Sequence, residues 1–197
     1  MKGFSPFRVI AVANAMAIAL WLLTVSQPLA AGELAGAKLL DTMSAGGKTL
    51  KLNGMGLRKK AIFKVYVGGL YLETASKDAV AILAADAPKA VTMHFLRSVE
   101  KAKLVEAYTE GFQANAKEKA ATQKANIDRF LGLVTDVKDG SEMTVAYVPG
   151  AGTTILRDGK EAGKIEGKEF SDALFAIWLG SKPPSEDLKK GMLGLGN

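Results

Sequence analysis

Ala61-Ile-Phe-Lys-Val-Tyr-Val-Gly-Gly-Leu-Tyr-Leu-Glu73 is the stretch on which the fold turns. β-branched and aromatic residues dominate it, so it reads as a strand. Period-two alternation puts Phe63, Val65 and Val67 on one face and Ile62, Lys64 and Tyr66 on the other. Gly68-Gly69 marks a bulge or a close approach to the backbone. Upstream, Lys48-Thr-Leu-Lys-Leu-Asn-Gly-Met-Gly-Leu57 begins with the same alternation and ends in a glycine-rich bend. Lys59-Lys60, between the two runs, predicts a hairpin. Residues 90–96 predict a third strand, with Val91, Met93 and Phe95 on one face.

The period then changes. Residues 76–86 predict a short helix and residues 99–117 a longer one. The longer helix carries Leu104, Val105, Tyr108, Phe112 and Asn115 along one stripe. Helix continues over 118–134, with Ala121, Ile127, Phe130 and Leu131 available for packing. Strands return at residues 143–148, 153–156 and 164–165, and Asp158-Gly159 is a hairpin signal. Residues 168–179 predict a helix bearing Phe170, Leu174, Ile177 and Trp178. Beyond Pro183-Pro184, residues 185–193 predict a last short helix capped by Ser185. Strands, then helices, then strands and helix again describe an α+β fold: a large, mainly antiparallel sheet against a helical layer.

The chain has 197 residues, 48% hydrophobic and 23% charged, which excludes a disordered tail, a collagen-like repeat and a coiled coil. It contains no Cys and one His. That excludes a disulfide scaffold, a thiolate zinc site, a Cys nucleophile and a multi-histidine metal centre. No nucleophile elbow, phosphate loop or zinc-protease signature is present, so neither cofactor nor metal is expected. The lone His94 reads as a structural strand residue.

Residues 1–31 have the pattern of a secretory signal peptide. Lys2 and Arg8 precede an apolar run over residues 9–25, and Pro28-Leu-Ala-Ala-Gly32 closes it with small residues. The apolar run falls short of the ~20 residues a spanning helix needs. The expectation is an exported, periplasmic protein with residues 32–197 as its one domain and no membrane span once the leader is removed. Loss of Lys2 and Arg8 lowers a formal charge of only +6 by two. Basic residues are scattered and not interleaved with aromatics, so no nucleic-acid partner is expected.

Four residues stand out for chemistry. Arg58 follows the glycine-rich bend; it is either a solvated cation or a clamp for a carboxylate or phenolate. Tyr66 is either a packing residue with a wet hydroxyl or a donor to the anion that Arg58 holds. Tyr108 and Asn115 lie two helical turns apart on one face. An Asn in an apolar stripe needs its amide satisfied, by a neighbouring backbone group or by a ligand in an apolar pocket.

Asn53-Gly-Met-Gly-Leu-Arg-Lys-Lys, followed by Lys64-Val-Tyr-Val-Gly-Gly-Leu-Tyr-Leu-Glu73, resembles the chalcone isomerase family, and more closely its exported bacterial branch. The resemblance extends through the Tyr108–Asn115 helix to Ile177-Trp-Leu-Gly and Ser185-Glu-Asp-Leu-Lys189. It implies an open-faced sandwich with a ligand cleft between sheet and helices. It also implies that Arg58, Tyr108 and Asn115 occupy positions that bind the anionic substrate in the plant enzymes. Two threonines of those enzymes fall at Tyr66 and about Ile177 here, which removes hydroxyls that polarise the substrate ketone. The pair Arg58 and Tyr66 is similar to the fatty-acid-binding branch, where such a pair holds a carboxylate. The resemblance therefore implies a non-catalytic protein binding a fatty acid or similar small apolar anion through Arg58, Tyr66, Tyr108 and Asn115. The alternatives are an isomerase or intramolecular lyase on another substrate, and a structural or partner-binding envelope protein.

Overall fold

A computed structural model of the chain describes Met1 and residues 30–196. The leader expected over residues 1–31 lies, apart from its ends, outside that range. A small antiparallel hairpin, β1 (Ala30–Leu34) and β2 (Ala37–Leu40), opens the described chain. The main sheet follows as β3 (Thr42–Ala45), β4 (Lys48–Lys60), β5 (Phe63–Leu72), β6 (Lys89–Phe95), β7 (Glu142–Val148), β8 (Gly152–Arg157) and β9 (Lys160–Ile165). Its seven strands lie side by side in chain order, and every neighbouring pair is antiparallel. Helix α1 (Ala79–Ala84) joins β5 to β6. Helices α2 (Lys101–Asn115), α3 (Lys117–Thr122) and α4 (Lys124–Leu133) join β6 to β7, and α5 (Lys168–Leu179) and α6 (Glu186–Met192) end the chain. The expected α+β architecture is thus present, and so is the two-residue turn at Asp158-Gly159, where both residues have positive φ.

One face of the sheet supplies Tyr66, Leu70, Val91, Met93, Phe95, Val145 and Ile155 to the main core. Helices α2, α4 and α5 answer with Tyr108, Phe112, Phe130, Phe170 and Trp178, all buried. Tyr108 meets Phe130 edge to face at 4.9 Å, and Phe112 meets Phe130 in the same way at 6.0 Å. The opposite face is covered near β4 and β5 by the β1–β2 hairpin, whose Ala37 and Leu39 pack on Val67. Sequence alternation does not disclose that hairpin or β3, because all three strands are short and poor in β-branched residues.

Three expectations need correction, and one open alternative, at Gly68-Gly69, is decided. The glycine-rich stretch is not a bend: β4 shifts register once between Leu52 and Gly54, then runs extended through Gly54 and Gly56 to Lys60. Its glycines form a floor for α6. A Cβ on Gly56 would lie 2.1 Å from the Leu188 carbonyl oxygen, and one on Gly54 would lie 2.3 Å from that of Gly191. Secondly, Gly68-Gly69 holds regular pairing with β6 and carries no bulge. It is the close-approach reading that holds, since a Cβ on Gly69 would sit 2.4 Å from Leu39 Cδ1. Thirdly, strict alternation fails at Val65. Arg58 pairs with Tyr66 but Lys59 pairs with Lys64, so Val65 is an extra residue in β5. Fourthly, the helix expected over 118–134 is broken at Gln123, between α3 and α4.

Buried Lys89 closes α1. Its Nζ donates to the carbonyls of Ile82 and Ala85, both at 2.8 Å, and caps the C-terminal end of a helix whose N-cap is Asp78. At the same end of the sheet Asn53, in β4, anchors α6. Its Nδ2 donates to the Met192 carbonyl at 2.9 Å and to that of Ser76, while Oδ1 accepts from the Ser76 N–H.

Candidate functional site

Between the sheet and helices α2 and α5 lies a cleft of about 350 Å³. Its sheet wall comes from β4, β5 and β6: Arg58, Val65, Tyr66, Met93 and Phe95. The bulge at Val65 matters here, because it brings Val65 and Tyr66, adjacent in sequence, to the same side. The helical wall comes from Leu104, Ala107, Tyr108 and Gly111 of α2 with Ile177 and Trp178 of α5. Gly111 allows the two helices to approach closely, since a Cβ there would meet Ile177 Cγ2 at 2.8 Å. Pro183 and Pro184, after α5, complete the rim.

Three of the four expected residues, Arg58, Tyr66 and Tyr108, line this cleft. Arg58 and Tyr66 are direct cross-strand partners. Arg58 is half-buried as a residue, and its guanidinium donates to the Lys59 carbonyl in an exposed hydrogen bond. Tyr66 is buried, and its hydroxyl accepts a hydrogen bond from Trp178 Nε1 at 3.1 Å. That leaves the Tyr66 proton free to be donated. Burial pushes the Tyr66 phenol up to about 12, opposed in part by the Trp178 hydrogen bond and the Arg58 charge. The Tyr108 hydroxyl lies 3.5 Å from the sulfurs of Met93 and Met143, both weak acceptors. Burial raises its pKa too, with a smaller contribution from Tyr66. At neutral pH both phenols are neutral donors.

Asn115 does not line the cleft. Its Nδ2 donates to the carbonyls of Gly111 at 3.1 Å and Lys182 at 2.8 Å, and its Oδ1 accepts from the Lys182 N–H at 2.8 Å. Both amide hydrogens and one acceptor site of the oxygen are thus engaged with backbone. Asn115 instead fixes the Lys182–Pro184 rim to the end of α2.

Sequence reasoning missed several contributors. Lys60, Lys103 and Lys182 join Arg58 around the cleft, with Glu110 as the lining carboxylate. Lys60 shares β4 with Arg58, whereas Lys103 and Lys182 come from separated segments, which no local motif links. Lys103 is held by Glu106 at 2.8 Å. Trp178 reads from sequence as packing alone; the one available signal is that a buried indole N–H needs an acceptor. Among the described residues no three His, Cys, Asp or Glu gather as a metal site, and no helix is long and apolar enough to cross a membrane. Chemically, the cleft offers cations at its rim, two neutral phenol donors within, and aliphatic and aromatic walls.

A family model described as chalcone isomerase-like matches residues 31–194. Among solved structures, a fatty-acid binding protein of Arabidopsis thaliana is similar to this chain at a TM-score of 0.64. It is 14% identical, over 80% of this chain and 92% of that one, a likeness of fold. No curated protein matches the sequence.

Proposed function

The chain belongs to the chalcone isomerase-like family, and from that membership we propose that it is a binding protein that takes a fatty acid or similar small apolar anion into the cleft, without catalysing a reaction. The observation that carries this reading is the pairing of Arg58 with Tyr66 on the cleft wall, beside an interior lined by Val65, Met93, Phe95, Leu104 and Ile177. A carboxylate there would meet a guanidinium and a phenol proton, and charge-assisted bonds are the stronger kind. Each methylene buried beyond the head group adds about 0.8 kcal/mol. The cleft volume lies near the lower end of the ~300–1,000 Å³ usual for small-molecule sites. The Arabidopsis thaliana protein, itself described as fatty-acid binding, supports the reading. The N-terminal pattern supports export to the periplasm, with the leader ending near residue 31 and the domain spanning 32–197.

One feature favours a second reading, an isomerase or intramolecular lyase. Two neutral phenols beside a cation could stabilise a developing oxyanion. Against a purely structural role stands the open cleft itself. Native mass spectrometry of the exported protein, purified without detergent, tests the first reading. A bound species of fatty-acid mass, lost in Arg58→Ala, is expected. A clean apo mass that persists after incubation with fatty acids would overturn it.

A further inference from the structure

The tip of the β4–β5 hairpin is unlike the rest of the surface. β3 accompanies β4 only as far as Lys51, and the register of β5 with β6 begins at Tyr66. Residues 59–64 therefore project past the sheet as a two-stranded finger. At its turn Ile62 is 88% exposed and Phe63 is 53% exposed, the two largest apolar exposures on the sheet. Around them stand Lys59, Lys60 and Lys64, all exposed, with Arg58 at the base. Arg97 lies over the Phe63 ring, its Cζ 4.5 Å from the centroid. Among the described residues none of these five cations makes an ion pair with a carboxylate. Lys59 and Lys64 are direct cross-strand partners, and like charges so placed repel. The finger is thus apolar at its end and cationic along its sides, and the acidic group that feels its charge is Glu106, whose carboxyl Lys60 helps to hold low after the larger effect of Lys103.

We propose that this finger docks the protein on an anionic lipid surface, with Ile62 and Phe63 entering the headgroup–acyl boundary and the surrounding cations meeting lipid phosphates. Charge alone would suit any polyanion. The exposed apolar pair selects a bilayer, because burying it there is favourable and nucleic acid offers no equivalent. Lys60 and Arg58 belong both to the finger and to the cleft. Docking would therefore set the cleft entrance against the membrane, where an apolar anion would be exchanged. The inference does not depend on which ligand the cleft takes.

The chain has no cysteine, so one introduced thiol labels one place. The exported protein carrying Ile62→Cys, labelled with an environment-sensitive fluorophore, is mixed with vesicles. The comparison variant is Val80→Cys, on α1 beyond the opposite end of β5, where the native side chain is 76% exposed. Vesicles of equal parts phosphatidylglycerol and phosphatidylcholine should shift the emission at position 62 to the blue and leave position 80 unchanged. Phosphatidylcholine alone should shift neither. Added to Ile62→Cys, the pair Lys59→Gln and Lys64→Gln should weaken the response by about fivefold for each charge removed. Three results would overturn the proposal: no shift at position 62 on anionic vesicles, equal shifts at 62 and 80, or the same shift with heparin. The second would assign vesicle binding to another part of the chain, and the third would mark an indiscriminate polyanion surface.

Discussion

Trp178 donates its indole N–H to the Tyr66 hydroxyl at 3.1 Å, joining α5 to β5 inside the cleft. The two residues are 112 positions apart, so the bond closes the cleft wall across the length of the domain. Tyr66→Phe keeps the ring and removes the acceptor. It should lower the unfolding free energy by about 1–3 kcal/mol, the cost of an unsatisfied buried donor. Urea denaturation measures this, and an unchanged midpoint would show that the indole finds another partner.

All four tyrosines, Tyr66, Tyr71, Tyr108 and Tyr147, are held above the usual value of 10.0, chiefly by burial. Folding favours the protonated phenol. This contribution to stability is complete below the ordinary value of 10.0 and is lost as the pH rises through about 12, the value for Tyr66. Absorbance titration of the native protein should thus show tyrosine ionisation displaced to higher pH than in urea. A native titration that matches the unfolded one would contradict the burial of these hydroxyls.

Arg58 and Asn115 should separate cleanly. Arg58→Ala should weaken fatty-acid binding by about 1.5–3 kcal/mol, the scale of a charged hydrogen bond, with little effect on thermal stability. Asn115→Ala should instead cost about 1–3 kcal/mol of stability, because it leaves the Lys182 N–H and two carbonyls without their partner. Calorimetric titration beside thermal melts gives both numbers. Equal loss of affinity in the two variants would mean that Asn115 contacts the ligand after all.

Gly56→Ala should be among the most damaging one-carbon changes in the protein. The added Cβ meets backbone, the Leu188 carbonyl oxygen at 2.1 Å, and no rotamer change can relieve it. Overpacking of this kind typically costs ~1–3 kcal/mol. Hydrogen exchange should show α6 losing protection while α2 and α5 keep theirs. Uniform protection in the variant would show that β4 and α6 can separate without penalty.

The fold was legible where a residue's fate depends on its near neighbours. Val91, Met93 and Phe95 alternate into the core as their spacing requires. The α5 bounds fall at residues 168 and 179 because Gly167 and Gly180 flank an apolar run. Legibility failed where a distant segment decides. Gly54 and Gly56 read as a turn in isolation, whereas the reason for them is a helix more than a hundred residues later. Val65 leaves the alternation because the opposite strand is one residue short. Asn115 was singled out correctly as an amide in need of partners, but those partners include Lys182, 67 positions on. Family resemblance points Arg58, Tyr66, Tyr108 and Asn115 at the cleft; the first three line it, whereas Asn115 is turned to backbone partners.

The glycine floor of β4 has a consequence for how the chain is made. The Asn53 side chain is held by the Met192 carbonyl, 139 positions away, and α6 covers a strand that leaves the ribosome early. Until residues 186–193 are available, Gly54 and Gly56 remain an uncovered strip of backbone with no side chains of their own to shield it. Local pieces such as the β8–β9 hairpin can form during synthesis, but the domain cannot be finished from its beginning. Its final closure waits for the last helix, and contacts so distant in sequence are the slow ones to form.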